Sequence, residues 1–387
     1  MEWFVFPSLL CREINSRRLA YNYEVVVLAY ATSIQPFLRD AIVNDDFACH
    51  YPGASVWPAV AGSARSRGWE FHTADVVLLG IASGEFSATD VRVIQEEDAP
   101  LGAQLIGAGA RASLLLCGES PLFARDFYQR LGEVSQGFEN ALLFRGAVGD
   151  TAPSTQGHIL HFPGFYRGNQ APVQPWESRS AVVMVAGNKY WRHEGLPLRQ
   201  RLQRSWQTFR GRSYVEWLKQ HQLHDRRLEY VVGLSEAGLL TLYGPGWESR
   251  HHLPVGWQEE LGRVGVRGQH LDYSEKPKTL GAFKFSLALE NFGYPGYVTE
   301  KIIDAIAAGT IPLYLGAPDI ADFIPADCFI DLRQFESSHE LADFVSDINA
   351  ERGMAMIKRG QEFLSSSAGD VFSYEYQGGY IVDLATA

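Results

Sequence analysis

The segment FKFSLALENFGYPGYVTEKIIDAIAAGTIPLYLG, residues 283–316, restricts the fold more than any other part of the chain. Two apolar runs of strand length, FKFSLAL and TIPLYLG, flank a stretch with helical spacing. Ile302, Ile303 and Ile306 fall on one helical face, and Ala305 and Ala308 allow close packing on a sheet. Gly309 is placed to stop the helix. Strand, helix and strand in this order predict a parallel α/β unit.

The mouth of this helix carries its own chemistry. The first strand ends in the polar pair Glu290–Asn291, and FGYPGY makes a turn with two glycines and a proline. Thr299 is a natural N-cap, with Glu300 and Lys301 in the first turn. A helix N-terminus offers unpaired N–H groups and a partial positive charge, so it suits an anion. Lys301 adds a full charge beside a diphosphate. A carboxylate repels phosphate but accepts two sugar hydroxyls, so Glu300 fits the ribose of a nucleotide. Spacing alone is equally consistent with two ordinary residues on a solvated first turn.

The rest of the chain repeats the α/β pattern. Tyr23–Ala31, Ala74–Ala82 and Arg111–Glu119 read as strands, and Pro121–Val134 reads as a Pro-started helix with Phe123, Phe127 and Leu131 in register. Periodicity fades from Gly146 to Ser180, where Gly, Pro, Ser and Thr accumulate, as in a connection between domains. Beyond it, Ser180–Lys189, Leu239–Trp247 and Cys328–Leu332 read as strands, and 196–220 and 337–349 as helices. At 387 residues the chain is too long for one typical domain. The expected boundaries are an α/β domain over 1–165, a second over 178–365 and a tail over 366–387. The two domains face each other across a cleft, and ligands in such sheets sit beyond the carboxyl ends of the strands.

Composition narrows the function classes. A formal net charge of −11 argues against nucleic acid, so a phosphorylated ligand needs a local basic pocket. Cys11, Cys49, Cys117 and Cys328 are far apart and form no CxxC pair, which argues against a zinc site or a disulfide scaffold. The N-terminus lacks the basic region of a signal peptide, no apolar run reaches membrane-spanning length, and no N-x-S/T sequon occurs. The expectation is a cytoplasmic protein, with peripheral association at the inner membrane face left open. No G-x-G-x-x-G opens a first βα turn, which disfavours a dehydrogenase.

Residues 283–316 closely resemble the signature of the α1,3-fucosyltransferases of glycosyltransferase family 10, bacterial members in particular: a K-F-x-L-x-x-E-N strand, a turn, Y-x-T-E-K, an apolar helix and an I-P-x-x-x-G strand. GAPDIADFIPADCFIDLRQF continues the likeness. The chain departs in having Leu289 where most members carry Phe, and Pro295 in the turn. The resemblance implies a GT-B fold of two Rossmann-like domains, with GDP-fucose bound mostly by the C-terminal one. It places Asn291, Tyr297, Glu300 and Lys301 at donor-binding positions. AGNKYWRHEGLPLRQRLQRSW resembles the family's first strand–helix connection and implies Asn188 and an arginine on the diphosphate, Arg201 first and Arg199 second. YSEKPKTLGAFKF implies Tyr273 and Lys276 as further donor contacts. LLLCGESP resembles the tetrad whose Glu is the catalytic base, which makes Glu119 the base. By its position alone Glu119 reads as a helix-cap carboxylate.

The resemblance implies an inverting transfer of L-fucose from GDP-β-L-fucose to a hydroxyl of an oligosaccharide or glycolipid acceptor, α1,3 to GlcNAc or Glc. The alternatives are a GT-B enzyme using another nucleotide sugar and a catalytically silent nucleotide-sugar-binding protein. No DxD triplet occurs, so no obligatory metal is expected, with stimulation by Mn²⁺ left open. Trp57, Trp69, His72 and Tyr128 are aromatic candidates for stacking on a sugar, weighed against a place in the core.

Overall fold

A computed structural model describes residues 26–51, 53–168, 172–188, 190, 213–249, 251 and 253–387. Two parallel sheets organise them. The first contains β1 (Val27–Ala31), β2 (Glu70–Thr73), β3 (Val91–Glu96), β4 (Arg111–Leu116), β5 (Asn140–Leu143) and β6 (Gln156–Ile159) in the order 2-1-3-4-5-6. The second contains β7 (Ser180–Val185), β8 (Leu240–Tyr243), β9 (Phe283–Leu289), β10 (Ile311–Leu315) and β11 (Ile330–Asp331) in the order 11-10-9-7-8. β1 and β10 are buried along their whole length, as continuous apolar runs in parallel sheets are.

Helices cover the sheets: α1 (Val56–Ser66), α2 (Ala74–Ser83), α3 (Pro100–Gly107), α4 (His224–Glu236), α5 (Glu300–Ala307), α6 (Ser338–Asp347), α7 (Ala350–Leu364) and α8 (Tyr374–Thr386). β9, α5 and β10 form the parallel unit expected of 283–316.

Several segments differ from expectation. ADVVLLGIA is the helix α2, not a strand. A continuous apolar run fits either state, and here the short β2 has already filled the sheet position before it. Ala74, Val77 and Gly80 face inward while Leu79 is 72% exposed, and Gly84 ends the helix at a φ of 77°. The segment 121–134 is two short helices, Arg125–Gln129 and Leu131–Val134, broken at Arg130. Strand β6 lies inside the Gly146–Ser180 stretch that reads as linker, so the link between sheets is 160–179. Buried Arg179 holds the end of this link by donating to Gly309 O at 2.5 Å and to Gln174 O at 3.0 Å.

The residues expected as a tail return to the first sheet. Tyr374, Ile381, Val382, Leu384 and Ala385 join its core. α8 lies so close to α1 that a Cβ at Gly378 would come within 2.8 Å of Ala59. Asn140 of β5 donates to Leu384 O at 2.9 Å.

The turn after β9 rests on the loop after β5. Gly146 N donates to Pro295 O at 3.0 Å, Tyr297 packs on Phe144 with ring centroids 4.9 Å apart, and Arg145 pairs with Asp319 at 3.0 Å and Asp322 at 2.5 Å. Gly296 adopts a φ of 71° against Arg145, where a Cβ would meet side chain and backbone at 2.6 and 2.8 Å.

Candidate active site

The site has two parts that meet at Tyr297. The first is the mouth of α5. Glu290, the residue after β9, is fully buried. Its Oε1 accepts from Thr299 N at 2.8 Å, its Oε2 accepts from Lys301 Nζ at 2.9 Å, and the Thr299 hydroxyl lies 2.8 and 2.9 Å from the two oxygens. Thr299 occupies the N-cap position, but its hydroxyl makes no cap hydrogen bond. It is turned instead to the two oxygens of the Glu290 carboxyl. Lys301 Nζ also reaches the Thr299 hydroxyl at 2.8 Å and Glu300 Oε1 at 3.5 Å. The ammonium is thus seated between two carboxylates rather than extended into solvent.

Glu300 is itself 8% exposed. Burial alone would raise its carboxyl pKa, but Lys301 and then Lys276 override this and hold it below the usual range. Lys276 is buried, pairs with Asp304 of α5 and lies 3.1 Å from the Tyr273 hydroxyl, which is 3.4 Å from Asp304. Tyr273 and Lys276 therefore brace α5 from the side.

Asn291 Oδ1 accepts from Arg227 Nη2 at 2.9 Å, and the same nitrogen reaches Leu289 O at 2.9 Å. Burial pulls the Arg227 guanidinium down to about 10, with Glu290 acting against it. Arg227 was not anticipated from the sequence. Its signal was a charged residue at an inward position of α4, one turn from buried Val231. Asn188, just past β7, is 9% exposed, and its Nδ2 has no hydrogen-bond partner among the described residues. Arg199 and Arg201 lie outside the described residues.

The second part is a cavity of about 920 Å³ beyond the carboxyl ends of β1, β3 and β4. Phe37, Tyr51, Trp57, Phe127 and Phe162 contribute apolar wall, and Glu96, Glu97 and Glu119 bring carboxylates. Glu96 accepts from the Tyr30 hydroxyl at 2.7 Å and from Thr32 Oγ1 at 2.6 Å; burial raises its pKa. Glu97 is pushed up to about 7 by burial, then by the charges of Glu96 and Glu119. Glu119 is exposed on the wall, and its backbone carbonyl accepts from the Tyr128 hydroxyl at 2.8 Å, which fixes the turn after β4.

Tyr297 stands between the parts. Burial, then the charges of Glu290, Glu119 and Glu300, push its hydroxyl well above the ordinary tyrosine range. Of the aromatic candidates, Trp57 is buried and stacked on Tyr30 at 3.6 Å, and Tyr128 braces the Glu119 turn. His72 bridges Asp40 at 2.7 Å and Glu70 at 3.4 Å and is raised to about 9 by those bonds, while Arg67 lies 5.8 Å over the Trp69 ring. Among the described residues no group of three or more His, Cys, Asp or Glu side chains could hold a metal ion, and no helix is long and apolar enough to cross a membrane.

Residues 210–356 match glycosyltransferase family 10 (fucosyltransferase) C-term. The chain is 28% identical to an α-(1,4)-fucosyltransferase of Arabidopsis thaliana over 55% of its length and 44% of the relative's. It is 34% identical to the α-(1,3)-fucosyltransferase FucT of Helicobacter pylori over 27% of its length and 22% of the relative's. The chain thus covers less than half of each of these curated relatives. Among solved structures, a sucrose-phosphate synthase from Thermosynechococcus elongatus superposes with a TM-score of 0.59 at 11% identity, covering 93% of this chain and 98% of that one. Anabaena HepE in complex with UDP and glucose gives 0.54 at 11% identity, covering 94% and 100%. These likenesses show the two-domain GT-B fold. Asn291, Tyr297, Glu300 and Lys301 all lie within the residues that match the glycosyltransferase family 10 (fucosyltransferase) C-terminal model.

Proposed function

We propose that the protein is an inverting fucosyltransferase that moves L-fucose from GDP-β-L-fucose to a hydroxyl of an oligosaccharide or glycolipid acceptor. The observation that carries this reading is the seating of Glu300 and Lys301 at the α5 mouth, within the family-matched domain and one tyrosine away from a carboxylate-bearing cavity. Glu300 holds the ribose hydroxyls of GDP. Lys301, the α5 N-terminus and an arginine at 201 or 199 meet the diphosphate. Tyr273 and Lys276 act through α5, by keeping Asp304 compensated and the helix in place.

The chemistry follows from these roles. Glu119 takes the proton of the attacking acceptor hydroxyl, as a general base. The sugar passes through an oxocarbenium-like state, as in glycoside hydrolysis. Charge builds on the β-phosphate as GDP leaves, and cations at the α5 mouth stabilise it more in the transition state than in the ground state. Fixed basic residues fill the role of a metal.

Incubation with GDP-fucose, GDP-mannose and UDP-sugars, each with β-galactosyl and N-acetylglucosamine acceptors, followed by product analysis, tests the reading. Fucosylated product from GDP-fucose alone is expected. Transfer only from another donor leaves a family member with changed donor use, and binding of GDP-fucose without turnover identifies a silent nucleotide-sugar-binding protein.

A further inference from the structure

Glu97 is one of three non-glycine residues with positive φ among the described residues, at 51°. L-residues with a Cβ avoid this region, and glycine would adopt it without strain. The conformation is held from both sides: Glu97 N donates to Leu116 O at 2.8 Å, and Gln95 Nε2 donates to Glu97 O at 2.9 Å. A strained backbone at the carboxyl end of β3 thus carries a long acidic side chain where a glycine would be easier to accommodate.

That side chain lines the cavity with Glu119. Its carboxylate has one weak partner among the described residues, the Cys117 thiol at 3.7 Å. A second feature of the wall also lacks a partner. Gln377 of α8 is fully buried and lines the same cavity; its Nε2 donates to Val371 O at 2.8 Å, but its Oε1 has no hydrogen-bond partner among the described residues. Buried polar atoms are seldom left this way unless something else satisfies them. Aromatic faces combined with unmet hydrogen-bonding groups suit a sugar ring, which presents apolar C–H faces and hydroxyl edges.

We propose that Glu97 is a second acceptor-contacting carboxyl, holding a hydroxyl of the acceptor sugar next to the one that Glu119 deprotonates, with Gln377 Oε1 accepting a hydrogen bond from a further hydroxyl at the cavity wall. This rests on the fucosyltransferase reading above. Glu97 selects acceptors with two neighbouring hydroxyls in reach of the two carboxyls. It has no part in holding GDP.

Three variants of the full chain test it: Glu97→Ala, Glu97→Gly and Glu97→Gln. Acceptor KM is expected to rise about 10- to 100-fold in Ala and Gly, the range of a hydrogen bond to a charged group, and to stay within a few-fold in Gln, which keeps the hydrogen-bonding atoms. Donor KM stays at the wild-type value. Glu97→Gly also raises the Tm, because it releases the positive φ, so its higher acceptor KM is not a folding defect. Unchanged acceptor KM in the stabilised Glu97→Gly variant overturns the proposal, as does a matching rise in donor KM. If wild type transfers nothing from GDP-fucose, the fucosyltransferase reading fails by itself. Saturation-transfer NMR with N-acetyllactosamine then decides on Glu97: contact in wild type that is lost in Glu97→Ala upholds the acceptor contact, and equal contact or none in both overturns it.

Discussion

The two ends of the cleft treat acidic side chains in opposite ways. At the α5 mouth every buried carboxylate has a cation: Glu290 and Glu300 share Lys301, and Asp304 has Lys276. In the cavity of the first domain, Glu96 and Glu97 are crowded together near Glu119, and among the described residues Glu96 and Glu97 have hydroxyls and a thiol as hydrogen-bond partners. Cations hold the Glu300 carboxyl below its usual range despite burial, and carboxylates paired in this way make a preorganised binding surface. Uncompensated ones in a partly dry pocket are poised to hold or take protons. In the proposed reading, the second domain binds the charged nucleotide and the first handles the protons of the acceptor.

The largest effect that separates the two ends is expected at Glu119. Glu119→Gln keeps the shape and removes the basicity, and transfer should fall by about 10²- to 10⁴-fold while GDP affinity holds. Near wild-type turnover would move the base to another carboxylate of the cavity. Lys301→Ala should both weaken GDP binding and lower stability, because it strands the buried Glu290; breaking such a pair removes about 3–5 kcal/mol. The double change Glu290→Gln with Lys301→Met should recover the melting temperature but not the GDP affinity. Recovery of both in calorimetry would show that Lys301 is purely structural. Glu300→Ala should weaken GDP about 10-fold with less loss of stability, and an unaltered titration would remove the ribose role.

A smaller effect concerns pH. The Glu97 carboxyl is raised in the folded state to about 7 from an ordinary value of 4.5. Its contribution to stability is therefore fully present below pH 4.5 and is lost as pH rises through 7. Glu96, Asp98 and Glu119 face it with negative charge, and Arg125 and Arg130 line the same cavity, Arg130 already paired with Asp98 and Glu133. The melting temperature of wild type relative to Glu97→Gln should decline between about pH 5 and 8, and parallel curves would contradict the assignment. The smallest expected effect is that of chelation. Activity should persist in excess EDTA, and complete loss restored by Mn²⁺ would overturn the metal-free reading.

The βαβ unit at 283–316 was legible in detail because local signals agree there: apolar runs of strand length, isoleucines at helical spacing, and a glycine at the stop. The residues expected on the donor side stood out for a related reason, since Asn291, Tyr297, Glu300 and Lys301 lie within eleven consecutive residues. Elsewhere local signals conflicted. The run 74–82 has no period that distinguishes a strand from a buried helix, and β5 and β6 are four-residue strands too short to show one. Nothing near Arg227 in sequence announces Asn291, sixty-four positions away.

The sequence by itself determined two parallel α/β domains, a helix mouth suited to an anion and a short list of acidic and basic residues around it. Periodicity, capping residues and motif spacing are local properties, and they survive without tertiary context. The tertiary structure alone decided which charges are paired. It turned Thr299 and Lys301 toward Glu290, set Lys276 against Asp304, returned the last helix to the first domain, and forced Glu97 into a left-handed backbone at the wall of a carboxylate-bearing cavity. The strength of a charge depends on what lies within a few ångströms of it and on how much water remains, and both are set by residues distant in the chain.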